Sequence, residues 1–122
     1  MKYEGFVIKG RGQGKSLGFP TLNLNIPENF TADFGIYAAR VRLEGKEYAG
    51  ALHYGPIPTF SDKRPALEIF LLEYSDDEPV AFLEFELVER IREIREFKEI
   101  EELKAQIADD VEKVRKLIAH NS

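Results

Sequence analysis

The residue types that could carry chemistry are concentrated between residues 10 and 23. Glycines alternate with other residues there, and a lysine follows the third of them: Gly10, Gly12, Gly14, Lys15. Glycine lets a backbone approach a ligand closely and aim successive N–H groups at an anion, and lysine adds a positive charge. Thr21 and Asn23 follow, and their side-chain oxygens are hard ligands of the kind that Mg²⁺ prefers. This segment therefore predicts a site for the phosphates and the metal ion of a nucleotide.

Two better-known phosphate motifs do not fit this segment. The P-loop pattern needs a glycine where Lys9 stands, and Pro20 interrupts the helix that must follow. The dinucleotide fingerprint needs a glycine in place of Lys15 and a βαβ unit, which the sequence lacks. A loop with only a structural role stays open as an alternative, as does a turn-type hydrogen bond for Thr21 and Asn23 at the start of a strand.

Composition narrows the class of protein. The 122 residues are 43% hydrophobic and 32% charged, which is typical of a folded chain, and we expect one domain over residues 1–122. The net charge of −5 argues against a nucleic-acid-binding protein. The absence of cysteine excludes disulfides and thiolate zinc sites. The sequence has no signal-type segment and no apolar run of membrane length, so we expect a cytoplasmic protein that does not act at a membrane.

The elements that must position these residues are mostly strands, followed by one helix. Alternating or β-rich stretches predict strands at Tyr3–Ile8, Ile36–Leu43, Glu47–Leu52, Ala66–Glu73 and Val80–Arg92. Glu44-Gly45 between the second and third of these predicts a hairpin turn. Apolar residues then recur at spacings of three and four from Ile100 to Ile118, which predicts an amphipathic helix of about five turns. Antiparallel strands followed by a helix indicate a small β-barrel with the helix packed on its side.

Taken in order along the chain, these residues resemble the ATP-dependent riboflavin kinase (flavokinase) domain over nearly its whole length. The strongest match runs from the glycine-rich segment through Pro20-Thr21-x-Asn23. Shorter matches follow in the order of the family: Gly35-Ile36-Tyr37-Ala38, Pro58-Thr59-Phe60, Leu67-Glu68-Ile69, Ile91-Arg92 and Ile107-x-x-Asp110. The resemblance implies a mainly β fold, a six-stranded antiparallel Greek-key barrel with a C-terminal α-helix.

The activity that the resemblance implies is transfer of the γ-phosphoryl group of ATP to the terminal ribityl hydroxyl of riboflavin, giving FMN and ADP. The glycine-rich segment and Lys15 would bind the nucleotide phosphates. Thr21 and Asn23 would bind both the nucleotide and Mg²⁺. Glu68 would be the catalytic base that accepts the proton of the hydroxyl. From the residues alone, an edge-strand glutamate facing water is an equal alternative for Glu68.

The same resemblance places riboflavin beside three residues just before the helix, Arg92, Arg95 and Phe97. A guanidinium can stack on or donate to a planar ring, and Phe offers an apolar face. Residues 89–99 carry many charges of both signs, so a solvated, salt-bridged turn is the competing interpretation. His53 is interpreted as a strand residue without a role.

The chain departs from the family pattern at three places. After the Glu68 strand, Asp77-Glu78-Pro79-Val80 replaces the usual Asp-x-Tyr-Gly, whose tyrosine lies on the nucleotide side in the family. Adenine packing is therefore expected to differ here. Glu93-Ile94 stands where Pro-Glu is common, and His53 stands where bacterial members often have Asn. None of these changes removes a residue assigned to the metal or to base chemistry.

Three functions compete at this stage. The first is an active riboflavin kinase, which the presence of Glu68 favours. The second is a non-catalytic or weakly active flavin- or nucleotide-binding module on the same barrel. The third is a barrel that binds nucleic acid, which the acidic residues Glu84, Glu86 and Glu89 argue against. The nucleotidylyltransferase domain that often precedes this one in bacteria is not expected here, so FAD formation would need a separate FAD synthetase.

Overall fold

The fold is seen in a computed structural model that describes residues 2–8, 21–56, 65–74 and 81–121. The glycine-rich segment, including Gly10, Gly12, Gly14 and Lys15, lies outside the described residues. Six strands and one helix are present in the described part: β1 (Lys2–Ile8), β2 (Leu22–Leu24), β3 (Gly35–Leu43), β4 (Lys46–Gly55), β5 (Ala66–Leu71), β6 (Phe82–Arg92) and α1 (Ile100–Asn121).

The six strands close into a barrel in the order β1-β2-β5-β4-β3-β6, and every neighbouring pair is antiparallel. Strand β2 pairs with β5, and β3 pairs with β6, so the barrel combines a β3-β4-β5 meander with longer Greek-key connections. The predicted six-stranded barrel with a C-terminal helix is confirmed. Strand β2 has only three residues, too few for alternation to reveal it in the sequence.

The strand boundaries follow from local backbone geometry. The predicted strand Ala66–Glu73 ends earlier, at Leu71, because the next two residues form a turn and Glu73 adopts a positive φ of 58°. The predicted hairpin between β3 and β4 is present. Its two turn residues, Glu44 and Gly45, both have positive φ, at 48° and 81°. Positive φ at both central residues matches the right-handed twist of the paired strands, which explains the two-residue loop.

Alternation along the strands separates an interior from an outer face. Odd-numbered residues of β3, of β5 and of β6 as far as Leu87 fill the barrel with apolar side chains, most of them almost completely buried. The least exposed and largest of these are Val41, Leu67, Ile69, Leu83 and Phe85, with Leu52 from β4. The polar residues between them must therefore face the outer surface, where a ligand can reach them.

Helix α1 covers part of this outer face, against β3, β4 and β6. Val111 and Val114 are buried, and their cluster includes Ala38 of β3. Ile100 is 59% exposed although the sequence places it in the apolar stripe, because the helical residues of this cluster begin only at Ile107. Within the described residues, no helix combines the length and apolar character that a membrane span requires.

Candidate active site

Asn23 on β2 lies directly opposite Glu68 on β5. Their strand neighbours Leu24, Leu67 and Ile69 are buried in the barrel, so Asn23 and Glu68 face outward. Directly opposed residues on neighbouring strands hold their Cβ atoms about 5 Å apart. The structure therefore brings the predicted metal ligand and the predicted base together on one face, with both side chains half-buried.

The short strand β2 is held in register by Asn25. Its side-chain Oδ1 accepts a hydrogen bond of 2.7 Å from the backbone N–H of Phe6, and its own N–H donates to the Phe6 carbonyl at 3.1 Å. The register then sets Asn23 opposite Ile8, the last residue of β1. Thr21 precedes β2 by one residue and is half-buried, two positions from Asn23. The predicted pair of metal ligands thus lies where β1 leads into the glycine-rich segment.

The same outer face continues across three further strands. His53 of β4 lies opposite Glu68, Ile36 of β3 lies opposite His53, and Arg92 of β6 lies opposite Ile36. We call Asn23, Glu68, His53, Ile36 and Arg92 the outer row. Since neighbouring strands are about 4.8 Å apart, Glu68 and Arg92 are separated by about 14 Å along this row.

His53 occupies the centre of the outer row, although its sequence context predicts no role for it. Its Nε2 donates to the Gly55 carbonyl at 3.2 Å. Burial lowers the pKa of the His53 imidazole, and the positive charge of Arg92 lowers it further, against the opposing effect of the Gly55 and Pro56 carbonyls. The ring is therefore neutral at pH 7. The β4–β5 register is what places His53 beside Glu68. The sequence alone does not show which strands pair, so it could not reveal this position.

Arg92 is engaged by the helix. Its Nε and Nη2 donate to the two carboxylate oxygens of Asp110 at 2.9 and 2.8 Å, and its Nη1 donates to the Glu93 carbonyl at 2.9 Å. Gln106 also donates to Asp110, at 3.1 Å. Asp110 is only 3% exposed, so this bidentate pair fixes α1 against the end of β6. The flavin role of Arg92 stays a prediction; these three hydrogen bonds use three of the five N–H donors of its planar guanidinium.

The other two predicted flavin residues lie in the segment that joins β6 to α1. Arg95 is exposed and approaches Gln106 of the helix, with Nη1 at 3.4 Å from the amide oxygen. Phe97 is half-buried. Gln106 therefore connects Arg95 to the Arg92–Asp110 pair, and the predicted flavin residues gather at one end of α1, apart from Asn23 and Glu68.

The side-chain oxygens of Thr21 and Asn23 suit a metal ion whose other ligands come mostly from the phosphates of a bound nucleotide. Thr21 and Asn23 offer a hydroxyl and an amide oxygen, both hard and uncharged. Among the residues that the structure describes, no group of three or more His, Cys, Asp or Glu side chains forms a metal site. Mg²⁺ usually keeps few protein ligands and takes its remaining ligands from substrate phosphates and water, so the residues present fit it.

The flavokinase family, described as riboflavin kinase, matches residues 1–118. The chain belongs to the riboflavin kinase family. The resemblance seen in the sequence is thereby confirmed, and the outer row is the face on which this riboflavin kinase domain carries its predicted base.

Relatives of this riboflavin kinase domain are longer proteins. The bifunctional riboflavin kinase/FMN adenylyltransferase of Haemophilus influenzae is 33% identical over 112 residues, covering 91% of this chain and 36% of the relative. The protein of the same name from Bacillus subtilis is 33% identical over 92 residues, covering 72% and 29%. That of Escherichia coli K12 is 35% identical over 108 residues, covering 88% and 34%. The chain thus spans about a third of the length of these curated relatives.

One solved structure has the same fold. A crystal structure described as a macrolide-efflux protein from Streptococcus pneumoniae superimposes with a TM-score of 0.81 and 23% sequence identity. The match covers 93% of this chain and 38% of the other. At this identity the likeness establishes the shared barrel, and it says nothing of a shared function.

Proposed function

We propose that residues 1–122 catalyse the ATP-dependent phosphorylation of riboflavin to FMN. The observation that carries this proposal is the register of β2 and β5, which sets Asn23 opposite Glu68 on an outward face in a member of the riboflavin kinase family. A base and a metal ligand at neighbouring positions are what phosphoryl transfer to an alcohol needs, because the reaction depends mainly on positioning and charge stabilisation.

Glu68 is the proposed catalytic base. The terminal ribityl hydroxyl oxygen attacks the γ-phosphorus, and the bond between that phosphorus and the oxygen that bridges to the β-phosphate breaks. The proton of the hydroxyl passes to the Glu68 carboxylate, and ADP leaves with the bridging oxygen. For this role the carboxylate must lie within about 3.2 Å of the hydroxyl when both substrates are bound. A half-buried outward position at the centre of β5 is compatible with such an approach.

Thr21 and Asn23 are the residues that would hold Mg²⁺ together with the nucleotide. When bound, the ion neutralises charge on the phosphate oxygens as the γ-phosphoryl group is transferred. The glycine-rich segment and Lys15 are proposed to bind the phosphates, since β1 ends at Ile8, directly beside Asn23. Nucleotide and metal ligands would then approach Glu68 from the β1 side of the outer row.

The flavin is proposed to lie on the opposite side of Glu68, towards β4, β3 and the start of α1. Arg92, Arg95 and Phe97 gather at that end, as the family pattern suggests for the flavin side. Because three of the five N–H donors of Arg92 bind Asp110 and Glu93, its proposed contribution is mainly a flat cationic face together with support for the segment that carries Arg95.

The proposal covers the kinase step alone. The family match concerns riboflavin kinase, and the bifunctional relatives are about three times as long as the matched part. Transfer of an adenylyl group to FMN is therefore assigned to protein outside residues 1–122.

A direct assay tests the proposal. The purified protein is incubated with riboflavin, ATP and Mg²⁺, and FMN and ADP are separated by chromatography. The proposal predicts that both appear in equal amounts and that neither forms without Mg²⁺. If riboflavin and nucleotide bind but no FMN is produced, the chain is a binding module and the proposal is wrong.

A further inference from the structure

Asn25 directly follows strand β2 and accepts, through its side chain, a hydrogen bond that a strand residue normally accepts through its backbone. The register of β1 and β2 would be continued by Phe6 opposite Asn25. In an antiparallel ladder, a hydrogen-bonded pair exchanges two backbone hydrogen bonds. Here the Asn25 N–H donates to the Phe6 carbonyl at 3.1 Å, but the Phe6 N–H donates to Asn25 Oδ1 at 2.7 Å. The side chain of Asn25 therefore replaces its own backbone carbonyl as the acceptor.

This replacement explains why β2 ends after three residues. Because β1 does not need the backbone carbonyl of Asn25, the chain can leave the ladder at this point. Pro27 follows two residues later and has no N–H to donate to a ladder. The Phe30 N–H then donates to the Pro27 carbonyl at 3.0 Å, and the buried ring of Phe30 packs against Tyr3 with centroids 4.9 Å apart. Asn25 thus lies where a strand of the barrel becomes a loop.

The partner of Asn25 is itself held in place by β6. Phe6 lies opposite Phe82 in the β1–β6 ladder, and their ring centroids are 5.4 Å apart. The next N–H along β1, that of Val7, donates to the Ala81 carbonyl at 3.0 Å. Asn25 therefore joins β2 to a part of β1 that β6 already fixes.

Leu24 and Asn25 protect the position of Asn23 against two different displacements. A shift of β2 by one residue would turn Leu24, which is 2% exposed, outward and Asn23 inward, so the burial of Leu24 opposes such a shift. Burial resists a small movement of β2 away from β1 less well, because hydrophobic contacts have no preferred direction. A hydrogen bond weakens steeply with distance and angle, so the two bonds between Asn25 and Phe6 oppose that movement.

We infer that Asn25 is a positioning residue for the metal site, whose two hydrogen bonds to Phe6 hold β2 so that Asn23 stays in place to bind Mg²⁺. This ion demands near-ideal octahedral geometry with ligand distances of about 2.0–2.1 Å, so a small displacement of one ligand weakens binding. The inference rests on the proposed function, which gives Asn23 its metal role. It goes beyond that function because neither the sequence pattern nor the family resemblance assigns a role to Asn25.

Hydrogen exchange of backbone amides in the full protein tests the structural half of the inference. Asn25→Ala removes the acceptor of the Phe6 N–H, so the Phe6 amide should exchange about three- to tenfold faster, the range for one lost hydrogen bond. Asn25→Asp keeps an acceptor oxygen and should leave the exchange of Phe6 at the wild-type rate. The amides of β3 report any general loss of stability and should exchange alike in all these proteins.

Binding of ADP with and without Mg²⁺, measured by isothermal titration calorimetry, tests the functional half. The quantity compared is the gain in affinity from the metal, which is the Kd without Mg²⁺ divided by the Kd with it. Asn25→Ala should lower this gain about three- to tenfold, because Asn23 is held less firmly. Asn25→Asp should restore it to the wild-type value or above, since its added charge repels free ADP more strongly than MgADP.

Asn29→Ala is the matched control. Asn29 is an exposed asparagine in the turn that follows, between Pro27 and Phe30. Its replacement should leave both the exchange of the Phe6 amide and the gain from Mg²⁺ at their wild-type values. Asn25→Gln is a second test variant for the case that Asn25→Ala does not fold. Its longer side chain displaces the amide oxygen, so it should behave as Asn25→Ala is expected to.

Three results would overturn the inference. Faster exchange of Phe6 with an unchanged gain from Mg²⁺ would make Asn25 a structural residue alone. An equal loss of ADP affinity with and without the metal, which Asn25→Asp does not recover, would make it a direct nucleotide contact. Unchanged exchange of Phe6 in Asn25→Ala and Asn25→Gln would show that β2 is held without this side chain.

Failure of the proposed function has a different outcome. A wild-type protein that makes no FMN from riboflavin and MgATP, while its variants show the expected exchange rates and gains from Mg²⁺, would contradict the kinase proposal and support the positioning role of Asn25.

Discussion

The two ends of the outer row use polar side chains in different ways. At the β2–β5 end, Asn23 and Glu68 are half-buried and face outward. At the β6 end, the side chains of Arg92 and Asp110 are only 12% and 5% exposed, and each nitrogen of the guanidinium donates a hydrogen bond within the chain. The first arrangement leaves side chains where a ligand can reach them, whereas the second joins a helix to a barrel.

This difference shows how to separate chemistry from architecture in a small barrel. Both ends carry charged residues that family resemblance links to function. What distinguishes the β6 end is a bidentate ion pair with a buried carboxylate, which uses its hydrogen-bonding capacity inside the fold. Arg92 therefore acts on a ligand mainly through the segment it supports, while Glu68 is placed to act directly.

The largest expected effect on activity comes from the β2–β5 end of the outer row. Glu68→Gln keeps the shape of the side chain but removes the base, so kcat for FMN formation should fall about 10²- to 10⁴-fold. Thermal stability and MgADP affinity should stay close to wild type. Glu84→Gln is the control, since Glu84 is also a half-buried outward glutamate, on β6 opposite Glu4 and Arg42.

Steady-state kinetics on the two variants decide the role of this glutamate. If Glu68→Gln and Glu84→Gln have the same turnover as the wild type, Glu68 is a solvated strand residue and the assignment of the base is wrong.

At the β6 end of the outer row, the expected effect is on the stability of the fold. Arg92→Gln removes the charge that compensates the buried Asp110 carboxylate, which should lower the free energy of unfolding by about 3–5 kcal/mol. Arg115→Gln breaks an exposed pair with Glu73, whose side chains are 47% and 79% exposed, and should cost at most about 1 kcal/mol. Urea denaturation measures both.

Asp110→Asn should destabilise the protein in the same direction as Arg92→Gln, because either change breaks the bidentate pair. If Arg92→Gln loses flavin affinity but no stability, Arg92 serves the ligand and not the helix, and the contrast between the two ends of the row disappears.

Loss of a proposed metal ligand should lower MgADP affinity by a smaller factor than loss of the proposed base lowers turnover. Asn23→Ala removes one proposed Mg²⁺ ligand and should raise the Kd for MgADP about tenfold. Without Mg²⁺, the variant and the wild type should bind ADP alike. Isothermal titration calorimetry with and without the metal separates these cases, and an equal loss of affinity in both would mean that Asn23 binds the nucleotide directly.

The smallest expected effect is a pH dependence of stability due to His53. Since burial lowers the pKa of His53 below its ordinary 6.5, the unfolded chain takes up a proton more readily than the folded one. Stability should therefore be full above pH 6.5 and decrease as the pH falls towards the folded pKa. His53→Gln should remove the part of this dependence of stability on pH that comes from His53. Glu68 and Arg92 carry their charges near this position in both proteins, so they should not hide the change. An identical slope in the variant would assign the pH dependence to other groups.

Periodicity and turn residues were enough to predict most of this fold. Alternation in Ile36–Leu43 and the Glu44-Gly45 turn predicted the β3–β4 hairpin, and apolar spacing predicted α1. Strand β2 was missed as a strand because three residues contain too little alternation. Its position depends on hydrogen bonds of the Asn25 side chain and backbone with Phe6, which is a tertiary contact.

The candidate site was predictable in its residue types but not in its partnerships. Thr21 and Asn23 are predicted from their residue types and spacing, and Glu68 from the family resemblance; their roles stay predictions. The register that sets His53 beside Glu68 and the Arg92–Asp110 pair depend on which strands and helices become neighbours. These contacts join residues far apart in sequence and exist only in the folded chain. The sequence therefore predicts no role for His53 and does not identify Asp110 as the partner of Arg92.

A crystal structure of the complex with riboflavin, Mg²⁺ and a non-hydrolysable ATP analogue would test the central claim most directly. The account predicts the terminal ribityl hydroxyl within about 3.2 Å of the Glu68 carboxylate, with the metal bound by Asn23 on the neighbouring strand. A hydroxyl bound elsewhere on the barrel, out of reach of Glu68, would contradict it.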